Sequence, residues 1–223
     1  MKPSSIVSRN RNLATLNVGQ RKSAPGRPVA AHRGRSAARH TNHEPFAAPE
    51  TWHEPTDASP KPRFVVEPPG QGYVHPVTKD EVNERIERLP TVFTHELEVI
   101  QFSRMTRKRH RFPCYGMHWG WSIYLYPIEE TLVEMYTRAP LPAQRIEAEM
   151  YGALWIHDKE GHWRLEWTRA AIKDYYLNNI LIHEIGHLVD NRNSNRDDRE
   201  RYAEWFAIEY GYRATGGRGA RSK

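Results

Sequence analysis

Residues 183–187 have the sequence His-Glu-Ile-Gly-His, the pattern His-Glu-x-x-His, inside a segment whose apolar spacing predicts a helix over Arg169–Val189. At about 100° per residue, His183 and His187 lie about 40° apart on one face of that helix, one turn from each other. Two imidazoles at this spacing can bind one metal ion, and Glu184 projects nearby, where it can act on a metal-bound water. The pattern therefore indicates a metal-dependent hydrolytic site, unless the two histidines are purely structural.

The rest of this predicted helix supplies a packing surface. Apolar residues occupy the arc opposite the histidines: Leu181, Ile182, Ile185, Leu188 and Val189. We expect this arc to pack on a sheet while the His/Glu face borders a cleft. Gly186 leaves room for a neighbouring element to approach the helix closely.

A second helix is predicted from about Asp197 to Tyr212, after a polar loop, and it carries Glu200 and Glu204 on one face. A catalytic zinc site needs three protein ligands and an open position for water. An antiparallel return would bring Glu200 opposite the histidines. Asp190 is the competing third ligand, but it would share one helix with both histidines and crowd them on one side of the metal. The alternative is that both glutamates belong to an ordinary solvated face.

These two segments together resemble the zinc-binding core of the zincin metallopeptidases, in particular the gluzincin branch. There the third ligand is a Glu on a downstream helix, in patterns such as Glu-x-x-Ala-Asp-x-Phe-Ala. This chain has Glu200-x-x-Ala203-Glu204-x-Phe206-Ala207, with Glu where the family has Asp. It is similar to the HtpX-like proteases without their membrane helices, and less closely to the ImmA/IrrE-like peptidases.

The resemblance implies that zinc is the cofactor, with His183, His187 and Glu200 as its ligands. It also implies that Glu204 accepts a hydrogen bond that orients a ligand histidine. The activity implied is that of a zinc-dependent metallopeptidase, in which a zinc-activated water attacks a peptide bond and Glu184 acts as general base.

Substrate binding follows from the same resemblance. In gluzincins an edge strand near the active-site helix pairs with an extended peptide, which assigns this role to one of the strands between Trp119 and Thr168. The group that stabilises the oxyanion stays open among five candidates: Tyr202, Tyr210, Tyr212, Arg213 and His157.

A second function is compatible with the same residues. The chain could be a zincin-fold regulatory or nucleic-acid-associated module, in which zinc is structural or the peptidase activity is narrow. Glu184 favours the peptidase, because a purely structural site has no need of a base.

The elements that must position this site predict an α+β fold in which strands precede paired helices. We expect a zincin-like domain, with a mixed or antiparallel sheet packed on the active-site helix and on the glutamate helix that follows. A capped helix is predicted from Thr78 to Leu89, and the strands are predicted at Leu97–Phe102, Trp119–Tyr126, Leu132–Thr137 and in a hairpin of Tyr151–His157 with His162–Thr168.

Charge divides the 223 residues into two parts. Met1–His43 holds nine basic residues and no acidic ones, so the rest carries 24 basic against 27 acidic side chains. We expect residues 1–62 to be a disordered Pro/Arg-rich tail and linker, and residues 63–223 to be the folded domain. The tail could make weak, salt-sensitive contacts with nucleic acid.

Other classes are excluded by composition. No apolar run approaches the roughly 20 residues that span a bilayer. The single cysteine, Cys114, excludes a multi-cysteine metal cluster. Because Met1–Gln20 has no apolar core, a secretory signal is not expected, and we expect a cytoplasmic protein.

Overall fold

The computed structural model describes residues 48–54, 61–111, 113–159 and 161–215. Within these ranges the chain is a mixed α+β structure with four-, three- and two-stranded sheets. The remainder of the predicted tail, residues 1–47 and 55–60, lies outside the described residues. None of the described helices combines the length and the apolar character needed to cross a bilayer.

The four-stranded sheet is mixed and has the order β1-β3-β5-β4. Its first three strands in that order run parallel, while β4 is antiparallel to β5 and forms the edge among the described strands. The strands are β1 Arg63–Val66, β3 Val99–Phe102, β4 Gly116–Trp119 and β5 Ser122–Leu125. The prediction of one strand over Trp119–Tyr126 was therefore wrong at its start, because Gly120 adopts φ +58° and turns the chain back between β4 and β5.

Two smaller sheets complete the β structure. The two-stranded sheet pairs β2 Tyr73–Val74 with β6 Ile128–Glu129. In the antiparallel three-stranded sheet, β9 lies between β7 and β8. These strands are β7 Val133–Tyr136, β8 Leu154–His157 and β9 Trp163–Glu166. The predicted strand and hairpin in this region are confirmed.

Helices lie between the strands along the chain. Helix α1, Lys79–Glu87, begins at the predicted capping box, in which Thr78 and Glu81 each bond to the other's main chain. Two helices were not predicted: α2 Arg107–Arg111, within a basic run, and α3 Pro142–Met150. Helix α3 has Pro142 at its first turn, a position that tolerates proline because its missing N–H has no helical partner.

The carboxyl-terminal helices carry the candidate site. Helix α4, Arg169–Tyr175, runs through a π-helical turn at Tyr176–Ile180 into α5, Leu181–Val189. After the polar loop comes α6, Arg196–Phe206, which continues into a π-helical segment at Ala207–Arg213. Both predicted helices are present, and each contains a π-helical stretch that apolar spacing does not reveal.

Helix α5 lies against β4 and β5 of the four-stranded sheet, and Leu181, Ile182 and Ile185 of its predicted apolar arc are fully buried in the core. The helix packs against α6 at Gly186. A Cβ atom on Gly186 would lie 2.9 Å from the Cα of Ala203, so only glycine permits this approach. Gly186 thereby sets the distance between the histidine helix and the glutamate helix, as predicted.

Residues 48–54 differ from the prediction, which placed them in a disordered linker. They cross the sheet face that α5 leaves open, and Glu50 forms an ion pair with Arg109, a side chain with no solvent exposure. The Tyr124 hydroxyl donates to the Thr51 carbonyl, and Trp52 packs edge-on against Trp119. Polar contacts to distant residues hold this segment, so its own composition gave no sign of order. We call residues 48–54 the strap.

Candidate metal centre

Three predicted ligands meet at the interface of α5 and α6. The Nε2 atoms of His183 and His187 are 3.1 Å apart. Glu200 places one carboxylate oxygen 3.5 Å from the first of these atoms and the other 3.6 Å from the second. All three ligand atoms lie within 4.8 Å of one another, so the described chain forms a group able to hold a metal ion.

The spacing of these atoms fits a small tetrahedral ion. Ligands at about 2.0–2.1 Å from a tetrahedral zinc are separated from each other by roughly 3.4 Å. The distance of 3.1 Å between the two Nε2 atoms is close to that value, and each of these atoms has a different Glu200 oxygen at 3.5 or 3.6 Å. Two imidazole nitrogens and one carboxylate also form a donor set that zinc uses. The chain's own residues therefore fit the implied metal.

The charge of Glu200 is stabilised by the histidines. Burial would raise the pKa of Glu200, but its hydrogen bonds with His183 and His187 outweigh this effect and lower the pKa to about 2. Burial lowers the pKa of His183 to about 4, although Glu200 opposes that shift. Glu200 is thus ionised and His183 neutral at neutral pH, and these are the protonation states that bind a metal cation.

The side chain of Glu184 projects from α5 towards the edge strand β4. Its Oε1 is buried and has no hydrogen-bond partner among the described residues, while its carboxylate accepts a hydrogen bond from the His118 main chain. A Cβ atom on Gly116 would lie 2.7 Å from Oε1, so glycine lets β4 approach this carboxylate. Burial, followed by the charge of Glu200, raises the pKa of Glu184 well above its usual value.

Asp190, the competing third ligand, is not part of the group. Its buried carboxylate accepts hydrogen bonds from the main chain of Arg192 and from the main chain and side chain of Asn193. Asp190 therefore fixes the turn that follows α5 and prepares the chain's return to α6.

Glu204 lies one turn after Glu200 on α6 and is half-buried. Burial, followed by the charge of Glu200, raises the pKa of Glu204, and the smaller opposing effects of Arg201 and His187 do not cancel this rise. These interactions place Glu204 near the ligand group. Its role in orienting a histidine stays a prediction.

Each of the five predicted oxyanion candidates contacts residues outside the ligand group. Tyr210 packs on Phe93 and Phe206, and Tyr212 packs on Tyr151. Arg192 lies over the ring of Tyr202, Arg213 forms an ion pair with Glu209, and His157 stacks on Trp163.

One histidine at this site was missed by sequence analysis. His118 lies in β4, and its ring stacks beside that of His187 with ring centres 6.3 Å apart. Burial, followed by repulsion from His187, lowers its pKa to about 4. Only the pairing of β4 with β5 and the packing of α5 bring this residue to the site, so no local pattern could have identified it.

Comparisons of the chain with protein-family models, with curated proteins and with solved structures find no match. What the site can do must therefore be argued from its own geometry.

Proposed function

We propose that this chain is a zinc-dependent metallopeptidase of the zincin type. The observation that carries the proposal is the arrangement of His183, His187 and Glu200 around one point, with the Glu184 carboxylate buried beside them. A structural zinc site is usually closed by four protein ligands, whereas a catalytic one has three and an open position. Among the described residues, the group here has three.

Zinc bound by these residues would lower the pKa of a water molecule and polarise a substrate carbonyl. Glu184 would accept the proton of the attacking water and donate it to the leaving amine. Its Oε1 has no protein partner to compete for that proton among the described residues. The surrounding apolar packing keeps bulk water away from the carboxylate.

Substrate would bind along β4, the edge strand beside α5. An extended peptide can pair with such an edge through main-chain hydrogen bonds alone, so the register of the peptide rather than its sequence sets its position. The expected edge strand lay between Trp119 and Thr168, and Gly116–Trp119 overlaps that range only at its last residue. The contact of Gly116 with Glu184 makes β4 the better choice.

The proposal also includes a zincin-like architecture. In support, α5 lies on a mixed sheet with an antiparallel edge strand, and α6 returns with the third ligand. The site-bearing part would comprise residues 63–215, with the strap as an addition to it.

The decisive experiment combines metal analysis of the purified chain with cleavage of a peptide library. We expect one zinc per chain and hydrolysis that disappears in Glu184→Gln. Protein that takes up no zinc on reconstitution would refute the metal site. Zinc binding without hydrolysis would favour the regulatory module instead.

A further inference from the structure

His118 is the third histidine at the candidate metal centre, and it comes from a strand rather than from the two helices. Its ring plane lies 21° from that of His187, with the ring centres 6.3 Å apart. The group of ligand atoms that lie within 4.8 Å of one another does not include it. His118 therefore stacks on one ligand without belonging to the ligand set.

The surroundings of the His118 ring assign its proton to one nitrogen. The ring lies near the main chain of Gly120, whose interaction favours a protonated nitrogen, as donation to the carbonyl would. Nε2 is buried and has no hydrogen-bond partner among the described residues, so Nδ1 makes this bond. Nε2 is left as a buried lone pair beside the ligands.

A buried acceptor without a partner is destabilising, and native proteins tolerate one mainly where water, an ion or a ligand completes it. The Nε2 of His118 and the Oε1 of Glu184 are two such atoms, and both belong to the junction of β4 with α5. Two unsatisfied acceptors at one junction indicate that a group carrying hydrogens belongs there.

We propose that Nε2 of His118 accepts a hydrogen bond from the protic group, water or substrate amide, that binds between β4 and the His183–His187–Glu200 group. This inference rests on the proposed function. It adds to Glu184 a second acceptor, supplied by the strand on which the peptide would lie.

The test uses the cobalt-loaded full chain, because Co²⁺ takes the same nitrogen and oxygen ligands as zinc and absorbs visible light. His118→Phe keeps an aromatic ring but removes the acceptor, whereas His118→Gln keeps an acceptor without the ring. His118→Ala replaces the Phe variant if that one misfolds. The matched control is His95→Ala, at a histidine with 57% of its side chain exposed.

Two metal-binding probes report on the acceptor without any turnover. Acetohydroxamic acid carries an N–H beside its metal-binding oxygens, and azide carries no hydrogen. We expect His118→Phe to weaken the binding of acetohydroxamic acid about 10-fold, as the loss of one hydrogen bond predicts. The binding of azide should weaken by less than about 2-fold. His118→Gln should stay within about 3-fold of the wild type for both probes, and peptide kcat should fall in His118→Phe with KM nearly unchanged.

The possible outcomes separate this inference from the proposed function. If His118→Phe weakens the binding of both probes equally, or of neither, His118 is not an acceptor at this position. A 100-fold loss of cobalt affinity would make it a ligand instead, and that too would overturn the inference. Probe binding that changes as expected in a chain that cleaves no peptide would leave the inference standing and refute the peptidase. A chain that binds no metal would refute both.

Discussion

On one face of the four-stranded sheet, α5 brings the carboxylate of Glu184 against β4; on the other face, the strap brings the carboxylate of Glu50 against Arg109. Both faces bury charged groups in apolar surroundings, which is costly unless the charges are paired. The two faces differ in how far that pairing is completed by the protein itself.

On the strap face the pairing is complete. The Arg109 guanidinium bonds to both carboxylate oxygens of Glu50, lies 4.4 Å from the centre of the Tyr126 ring and donates to the sulfur of Cys114. Every part of this cation has a neighbour within the chain. Such a group has no need of a ligand, and it acts by fixing the strap on the sheet.

On the α5 face the pairing is incomplete. Glu200 is ionised between two histidines, and Glu184 has a buried oxygen without a partner among the described residues. Buried groups whose pKa values shift strongly and whose partners are missing are typical of functional sites. Missing partners, rather than burial or charge alone, therefore distinguish the two faces.

The largest effect that tests this contrast is the loss of hydrolysis in Glu184→Gln. We expect turnover to fall by about 1,000-fold or more, because the amide cannot accept the water proton. Zinc content should not change, since Glu184 is not a ligand. The measurements are peptide kinetics and elemental analysis, with the exposed Glu84→Gln as matched control. Activity retained in Glu184→Gln would place the base elsewhere.

Glu200→Ala should abolish tight zinc binding, whereas Asp190→Ala should keep it. Glu200 supplies the ligand that comes from a separate helix, and we expect its loss to weaken zinc affinity by at least about 1,000-fold, beyond the ~10–100-fold typical of outer residues. Asp190→Ala should instead cost about 1–3 kcal/mol of stability, because it leaves the turn at Asn193 without its acceptor. Chelator competition and thermal unfolding measure the two effects. The reverse pattern would make the gluzincin assignment wrong.

Glu204→Ala should weaken zinc affinity less than Glu200→Ala does. If Glu204 orients a ligand histidine, its removal should weaken zinc affinity by about 10–100-fold while the ligand set stays intact. The same chelator competition measures it, and Glu149→Ala, an exposed glutamate on α3, is the control. Equal affinities of the two variants would show that Glu204 does not orient a ligand.

The sequence was sufficient where an interaction is local. Histidines four residues apart, the Thr78 capping box and the β8–β9 hairpin each depend on neighbours in the chain, and each was predicted. Glu200 was identified from the expected antiparallel return of its helix, and the resemblance to a known pattern supported that choice. Such features can be recognised before the tertiary arrangement is known.

What sequence analysis missed depends on distant contacts. The strap has a single large apolar residue, Trp52, and its main ion pair joins residues 59 positions apart. His118 becomes a site residue only when β4 pairs with β5 and α5 packs against it. The basic run that forms α2 contains Arg109, which is buried because Glu50 compensates its charge. Periodicity cannot predict a partner that lies elsewhere in the chain.

The last prediction concerns the completed pair on the strap face. Glu50→Gln leaves Arg109 buried without its counter-charge, and we expect it to lower the free energy of unfolding by about 1–3 kcal/mol, below the 3–5 kcal/mol of fully buried pairs because Glu50 is partly exposed. Zinc affinity should not change. The control is Glu87→Gln, which breaks the exposed pair with Lys61 and should leave the stability nearly unchanged.

The effect of Glu50→Gln should also depend on pH. Burial raises the pKa of Glu50, but the charge and hydrogen bonds of Arg109 outweigh it, so the net pKa in the folded chain is below the reference value of 4.5. A carboxyl group with a lowered folded pKa contributes stability above its unfolded pKa and loses that contribution as pH falls through the folded pKa. The difference between wild type and Glu50→Gln should therefore be constant above about pH 5 and shrink on acidification below the unfolded value, near 4.5. Urea unfolding at several pH values measures it. A difference that persists unchanged below the folded pKa would mean that the strap is held by packing of its main chain and Trp52 rather than by the charge of Glu50.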